Sequence, residues 1–362
     1  NWQTGSDILN NIIDANGVVL GNISTIQNSN NQSVVASLNF DKFYRNFKFL
    51  NKKNNFFEIL KSLKRVRLNY TENSGKVIPG YVPSIGFFGT TKPSLGFIFG
   101  NQSNVRYELA KMGYLTNFSG FNEQFQQVFN SKFEMAAEIQ LLKNLKIDLN
   151  ANRNYSNNYS ENFRVDNNNY EILNPNFYGN FSISSNMLKT SFDKKSIDQS
   201  DSFDNMKENL KIISLRLINQ KGINNIEFDD QGYPIGFSKN SQEVLVPAFI
   251  SAYTGDNANS VGLNPISDKP KINWSIQYDG LSEGLKDIFS RISLRHSYRS
   301  NFTINNFQSN LNYSENSFNS VGDYESKIFF SNINLVEQFN PLIRLDLELK
   351  NSLRLSFDVI KD

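Results

Sequence analysis

The chain of 362 residues contains no cysteine and a single histidine, His296. The absence of cysteine excludes disulfide bonds, thiol catalysis and cysteine-ligated metals. One histidine cannot form an H-E-x-x-H zinc site or a two-histidine centre, and the G-x-S-x-G elbow of serine hydrolases is also missing. We therefore predict no catalytic residue, no cofactor-binding residue and no metal ligand, and we interpret His296 as a structural residue on a strand.

The chain also lacks an excess of either charge, with 37 Lys and Arg against 35 Asp and Glu. Without a basic footprint, nucleic acid is not an expected partner. No apolar run approaches the roughly 18 residues of a membrane helix. The first residues carry neither the basic nor the apolar region of a signal peptide. We expect either a soluble protein, or an interior or late piece of a longer protein that crosses a membrane as strands.

Two residue classes are abundant. Aromatic residues make up 13% of the chain, with 31 Phe and 15 Tyr, and 55 residues are asparagine. Aromatic residues favour strands, whereas asparagine favours turns and disfavours helix interiors. The composition therefore predicts an all-β protein with long polar loops.

Near the end of the chain, apolar and polar residues alternate strictly on both sides of a short turn, over 343–349 and 353–359. Because successive side chains of a strand point to opposite faces, each run has one apolar and one polar face. A soluble sandwich could use such a hairpin once. A chain that repeats the pattern is typical of an outer-membrane barrel, which is apolar outside and wet inside.

The pattern does recur. Leu-Lys followed by Asn or Asp precedes an alternating run at three places, which predicts short periplasmic turns at 143–144, 286–287 and 350–351, and a looser copy begins at Leu60. We predict eight to ten strands in all. Beside the runs that flank the turns, the predicted strands cover 177–185, 210–218, 272–278, 291–304 and 326–336.

Long polar stretches separate these strands. The longest, 72–131 and 219–271, are predicted as extracellular loops, and 193–209 as a shorter one. We divide the chain into 1–62, an irregular or β region of uncertain placement, and 63–362, an antiparallel transmembrane β-barrel segment.

Two short clusters of Asp, Asn and Gly, at 229–232 and 255–259, offer oxygen atoms that calcium could use. Neither cluster has the twelve-residue spacing of an EF-hand, and these residue types are the ones that form turns. We interpret both clusters as turns.

Several segments, spread in order from about Arg65 to the end, resemble the SprA family, also called Sov. They are Val77–Tyr81, Ile98–Gln102, Phe121–Phe125, Val246–Tyr253, Asn273–Leu281, Leu294–Ser300 and Glu337–Ile343. The resemblance implies a late segment of a very large single-chain barrel in the outer membrane of a Gram-negative bacterium. That barrel is the translocon of type 9 secretion, has no enzymatic activity, exports folded cargo proteins and is linked to gliding motility. The implied partners are secreted cargo, a PorV-type barrel and a periplasmic plug protein.

Alternation assigns side chains to the two faces of such a wall. The residues predicted to face lipid are Leu145, Ile147, Leu149, Leu345, Leu347, Leu353, Leu355 and Phe357. The residues predicted to face a hydrated lumen are Lys146, Asp148, Arg344, Asp346, Glu348, Arg354 and Asp358.

Two alternatives remain open. Another outer-membrane barrel, such as a porin or nutrient receptor, would close on itself within a chain of this length. A soluble surface adhesin built from β-sandwiches would pack its leucine faces against each other and would need no detergent.

Overall fold

The computed structural model describes residues 2–6, 23–40, 44, 62–83, 93–193 and 200–361. Strands account for 52% of the structure, and the sheet is antiparallel, which confirms the predicted β class. Part of region 1–62, including the turn copy at Leu60, lies outside the described residues. No helix in the described part is long and apolar enough to cross a membrane.

Ten strands form one sheet. Their bounds are β1 Trp2–Ser6, β2 Ser24–Asn39, β3 Leu63–Tyr81, β4 Gln124–Leu142, β5 Leu145–Asp166, β6 Asn169–Ser184, β7 Asn273–Tyr278, β8 Phe289–Ser309, β9 Ile328–Leu349 and β10 Arg354–Lys361. The strands follow chain order across the sheet, except that β6 and β7 both lie between β5 and β8. This meander needs only short links between neighbours, so each long connection is an addition to the sheet.

One strand position is divided between two strands. β5 pairs with β7 over 145–150 and with β6 over 153–166, and β8 pairs with both in the same way. β6 and β7 therefore run end to end, and the chain between Ser184 and Asn273 leaves the sheet and returns to it at one point. We call residues 185–272 the second insert.

Three connections lie next to one another where the strands end on one side of the sheet. We call this side the lower end. The three connections are the turn at 143–144, the connection 279–288 and the turn at 350–353. The backbone N–H of Asp279 donates to the carbonyl of Asn144 at 2.9 Å, and that of Lys350 donates to Ile288 at 3.2 Å. A turn is present at 286–287, where the N–H of Ile288 donates to the carbonyl of Leu285 at 3.1 Å. It does not join the two strands by itself, because β7 ends at Tyr278 and a 3-10 turn over Gly280–Glu283 comes first.

The loop predicted over 72–131 is shorter. β3 continues to Tyr81 and β4 begins at Gln124, so the connection is 82–123, which we call the first insert. Residues 72–77 pair with 126–131 in an unbroken ladder although most are polar. Backbone hydrogen bonds extend a strand wherever a neighbour continues, so polar side chains did not mark its end.

Helices occupy both inserts. The first contains α1, Leu95–Ile98, and α2, Arg106–Lys111; the second contains α3, Asp201–Gln220, and α4, Gln242–Thr254. The strand predicted over 210–218 is therefore wrong, and so is the purely loop character of 193–209 and 219–271. The buried Leu210, Ile213 and Ile218 follow helical spacing, and Ser200 caps α3 by accepting from the N–H of Phe203 at 3.3 Å.

Both inserts pack on the same face of the sheet. We call it the apolar face, because along β5 it carries Leu145, Ile147 and Leu149; the opposite, polar face carries Lys146 and Asp148. The two inserts form two hydrophobic clusters with the upper parts of the strands, the first insert over β2–β5 and the second over β6, β8 and β9. Within the described residues, neither cluster extends over the lower part of the apolar face.

Strand packing leaves no room for a side chain at Gly179 of β6. A Cβ there would lie 1.9 Å from the carbonyl oxygen of Ser156 and 2.6 Å from the ring of Phe307. At Gly75 of β3 the nearest atom, the carbonyl oxygen of Asn28, would be at an ordinary 3.4 Å.

We predict that Gly179→Ala destabilises the protein by about 1 to 3 kcal/mol, because the clash involves backbone that cannot move freely. Gly75→Ala, the matched control, should change stability far less. Chemical denaturation of both variants in detergent micelles measures the difference, and equal stabilities would contradict the packing at Gly179.

Candidate functional site: a sheet with two exposed faces

The lower end of β9 and β10 brings the predicted apolar residues together. Leu345 pairs with Phe357 and Leu347 with Leu355, while β8 adds Leu294 opposite Leu345. Leu353 precedes β10, and its carbonyl accepts from Leu349 across the turn. These side chains form one continuous apolar surface.

The same surface continues across the sheet. In β5, Ile147 lies between Ile139 of β4 and Ile276 of β7, and Leu149 lies between Ala137 and Trp274. None of the eight residues predicted to face lipid is buried. We call this uncovered lower part of the apolar face the bare band. In a water-soluble protein such a surface would be covered, so it needs a partner.

The polar face of the lower end carries the seven predicted lumen residues in interleaved pairs. Arg354 and Glu348 lie 3.0 Å apart, Arg344 and Asp346 3.1 Å, and Lys146 and Asp148 3.2 Å. Asp358 pairs across the strands with Arg344. None of the seven is buried. Exposed ion pairs contribute little stability, so this is a hydrated surface of balanced charge rather than a core.

Farther up β5, the polar face loses its charges. Seven consecutive positions on that face carry only Asn or Ser, and none of them is buried: Asn150, Asn152, Asn154, Ser156, Asn158, Ser160 and Asn162. The alternating run that the sequence predicts after the turn at 143–144 extends only to Asn152. The signal was present, because the intervening residues include Tyr155, Tyr159, Phe163 and Val165. We call this row the Asn/Ser track.

The track is part of a wider polar surface. A depression of about 740 Å³ beside it is lined by side chains from several strands, among them Arg67, Glu134, Asn273, Arg299 and Asn301. Most of its lining residues are polar, with Met135, Ala136 and Ala151 as the apolar ones, and the depression lies open along the sheet. An open depression of this shape does not enclose a small ligand in the way that a typical binding pocket does.

A buried ion pair anchors the first insert to the apolar face. Arg106 of α2 pairs with Glu161 of β5; their side chains are 10% and 0% exposed. Tyr170 donates to Glu161 at 2.6 Å, and Tyr159 also donates to it. Burial opposes the charge of Arg106, but Glu161 and its hydrogen bonds raise the pKa of the guanidinium above its usual value.

A second polar anchor holds the loop after α1. Asn28 of β2 donates to the carbonyls of Phe97 at 3.0 Å and Asn101 at 3.1 Å, and accepts from Gln102 at 3.0 Å. Lys76 of β3 donates to the carbonyls of Gln102 and Ser103, the latter at 2.8 Å. Side chains of the sheet thus satisfy backbone groups of the insert that would otherwise be buried without partners.

The second insert packs on the sheet through apolar contacts, and a charge network lies within the insert itself. Lys271 donates to Asp256 at 2.6 Å, and Lys189 lies 3.6 Å from the same carboxylate. Partial burial opposes the charge of Asp256, but the hydrogen bond from Lys271 and the two positive charges hold the pKa of that carboxyl below its usual value. The carboxyl therefore stays ionised and paired through the usual Asp range, and its contribution to stability is lost as the pH falls from that range through the lowered pKa.

The remaining sequence candidates are turns and packing residues. Asp229 accepts from the N–H groups of Gln231 and Tyr233 at 2.9 and 2.8 Å. His296 Nδ1 lies 2.7 Å from the carbonyl of Leu342, beside Trp274. Within the described ranges, no three His, Cys, Asp or Glu side chains come together as a metal site.

No model of a known protein family matches the chain, and no curated protein is significantly similar to it. The function is therefore inferred from the chemistry of the two faces of the sheet.

The buried anchor yields a test. We predict that Glu161→Gln destabilises the protein by about 3 to 5 kcal/mol, because Arg106 would remain buried without a countercharge. Glu134→Gln is the matched control: its partner Lys132 is 2.6 Å away, but both side chains are about half exposed, so the loss should stay below about 1 kcal/mol.

Chemical denaturation measures both changes. Amide hydrogen exchange over 93–121 should rise in Glu161→Gln alone. Equal effects of the two variants would show that the buried pair does not anchor the insert.

Proposed function

We propose that this chain forms part of the wall of a protein-conducting channel in a bacterial outer membrane. The observation that carries the proposal is that the predicted residues on both faces of the sheet's lower part are at least partly exposed, apolar on one face and polar on the other. Lipid would cover the bare band, and the polar face would line a water-filled passage. Such a division is the defining chemistry of a barrel wall.

Strand length supports this assignment. A tilted membrane strand needs about 9 to 11 residues, whereas β5 and β9 have 22 each and β8 has 21. The upper halves of these strands would project beyond the bilayer. There the two inserts cover the apolar face, as an aqueous surrounding requires.

The edges of the sheet favour a segment of a larger wall over a small closed barrel. Among the described strands, β1 pairs only with β2, and β10 only with β9. A strand edge with unpaired backbone groups cannot face hydrocarbon. Further strands of the same wall are the partners that would satisfy both edges. This agrees with the very large barrel that the SprA resemblance implies.

The polar face suits a protein cargo rather than a single small solute. Its lower charges are largely neutralised by their own neighbours, and the Asn/Ser track adds hydration without net charge. A passing protein of either charge would find no strong attachment there. We therefore propose export of folded cargo by type 9 secretion, with a PorV-type barrel and a periplasmic plug protein as alternative partners, and a role in gliding motility.

Photo-crosslinking during export tests this function. A benzophenone amino acid is placed at Asn154, on the Asn/Ser track, or at Leu345, in the bare band, in cells that export an arrested cargo protein. We expect cargo adducts from Asn154 and only lipid adducts from Leu345. Cells without cargo serve as the control.

Each other outcome overturns part of the proposal. Lipid adducts from Leu345 without cargo adducts from Asn154 would indicate a porin or receptor. Absence of lipid adducts from Leu345 would support the soluble adhesin, and cargo adducts from both positions would reverse the assignment of the faces.

A charge placed on each face provides a separate prediction. Leu345→Arg should cost about 2 to 4 kcal/mol of stability in a bilayer, because Leu345 lies in the middle of the bare band of β9. Ser356→Arg, on the polar face of the neighbouring strand, places its charge beside Asp346 and should be nearly neutral. Equilibrium unfolding in lipid vesicles measures both values; similar losses would contradict the lipid assignment.

A further inference from the structure

We propose that the outer surface of the bilayer crosses this sheet where β6 ends and β7 begins, and that an aromatic belt lies there among the lipid headgroups. The belt consists of the rings of Phe192, Trp274, Tyr298 and Phe339 together with Lys361. Tyr298 and Phe339, each 1% exposed, form its buried base, whereas Phe192 is exposed and Trp274 is half-buried. This inference rests on the proposed membrane wall, and it adds the level at which lipid ends.

The divided strand limits how far up the sheet the hydrocarbon can reach. At Ser184 and Asn273 the chain leaves and re-enters the sheet, so backbone outside any ladder begins at this level. In hydrocarbon, irregular backbone exposed to lipid is not tolerated, because its polar groups have no partners. The hydrocarbon must therefore end at or below the division.

At the division, the side chains of Ser184 and Asn273 bond backbone groups of the neighbouring strands. The Ser184 hydroxyl accepts from the N–H of Asn152 at 3.1 Å and donates to the carbonyl of Lys271 at 2.7 Å. Asn273 bonds both backbone groups of Ser300, at 3.0 and 3.1 Å. These bonds replace ladder bonds that β5 and β8 would lose, so the wall stays continuous although one strand is interrupted.

A short segment at the start of the second insert, residues 185–193, is hydrogen-bonded to the sheet at this level, and we call it the strap. The N–H of Met187 donates to the hydroxyl oxygen of Tyr298 at 2.6 Å, and the Ser191 hydroxyl donates to Glu337 at 2.6 Å. Glu337 lies on the apolar face beneath this strap, only 6% exposed, with Lys361 4.0 Å away. A carboxylate on this face belongs above the hydrocarbon.

Below the strap, the apolar face of β7–β10 changes character. Most of its side chains there are apolar: Ile276, Tyr278, Ile292, Leu294, Ile343, Leu345, Leu347, Leu355, Phe357 and Val359. The imidazole of His296, which pairs with Ile276, lies on the same face, and its Nδ1 is 2.7 Å from the carbonyl of Leu342. The charged residues of this level lie on the opposite face. The chemical boundary therefore coincides with the division of the strand.

The belt has the composition of a membrane interface. Trp274 and Tyr298 stack with ring centroids 4.4 Å apart, and Phe339 lies 5.0 Å from Tyr298. Phe192 of the strap is 65% exposed, and Lys361 reaches over its ring at 5.1 Å. Rings with one polar edge and lysines with a long apolar stem both favour the headgroup region.

The length of β8 below the belt matches the thickness of the hydrocarbon layer. From Phe289 at the lower end of β8 to Tyr298 in the belt there are nine residue steps, roughly 30 Å along the strand. At the usual tilt of about 40°, this corresponds to about 23 Å along the membrane normal, close to the apolar band of about 25 Å in outer-membrane barrels. The belt is thus one hydrocarbon thickness above the lower end.

Spin-label depth measurements test the level. The chain has no cysteine, so Leu345→Cys, Phe192→Cys and Asn259→Cys each add a single thiol to it. Each variant is labelled in the whole protein that contains this part of the wall, reconstituted in phosphatidylcholine nanodiscs, with the unsubstituted protein as the labelling blank. Relative collision rates with oxygen and with a water-soluble nickel chelate give the depth of each label. We expect Leu345 to be deep, Phe192 to lie at the headgroups and Asn259, on the second insert, to be in water.

A second strap position guards against loss of the Phe192 ring. Leu188→Cys, 44% exposed on the same strap, should give the same shallow depth. If both strap labels are as deep as Leu345, or both are fully in water while Leu345 is deep, the proposed level is wrong although the membrane wall stands. If Leu345 itself is in water, the proposed function fails.

Discussion

The period of two that a hydrogen-bonded strand imposes on its side chains is the constraint on which this structure depends. Every residue of β5, β8 and β9 belongs to one of two faces, and a slip of one residue would exchange them. Pairing Leu347 with both Ile292 and Leu355 keeps three strands in the same register. The continuous leucine surface at the lower end and the Asn/Ser track higher up on the opposite face are two results of the same ladder.

The apolar face changes partners along its length, and the type of attachment changes with it. At the lower end its hydrocarbon side chains belong to neither of the two clusters that the described parts of the inserts form. Higher up, the inserts cover it, and the first insert is held by the buried pair of Arg106 and Glu161 together with Asn28 and Lys76. Such a pair contributes little net stability but makes one docked geometry much better than any other. We infer that the ion pair specifies where the insert docks, while the rings around it supply the favourable burial.

How much the sequence predicts depends on how far each signal reaches along the chain. The hairpin of β9 and β10 is readable because alternation and turn lie within twenty residues. Residues 210–218 are different: their apolar residues fit a strand or a helix, and the cap that decides for a helix is Ser200, outside that window. The strand over 72–81 was missed because its neighbour, β4, lies some fifty residues away.

Some features of the site have no local signal at all. Nothing near Arg106 points to Glu161, which is 55 residues distant, and the division between β6 and β7 becomes visible only when β5 and β8 are both in place. The two faces of the lower end were predictable because each residue reports its own environment. The coverage of the upper end was not, because it depends on which distant segment returns to the sheet.

The divided strand has a consequence for the architecture of the chain. β6 has 16 residues and β7 has 6, together as many as the 22 of β5. The N–H of Lys271 donates to the carbonyl of Ser184 at 2.9 Å, so the second insert begins and ends at neighbouring points. Without the insert, β6 and β7 would be two pieces of one strand with the length of β5. The second insert is in this sense a detachable module, and its helices can differ in size or sequence without any change in the number, order or register of the strands around it.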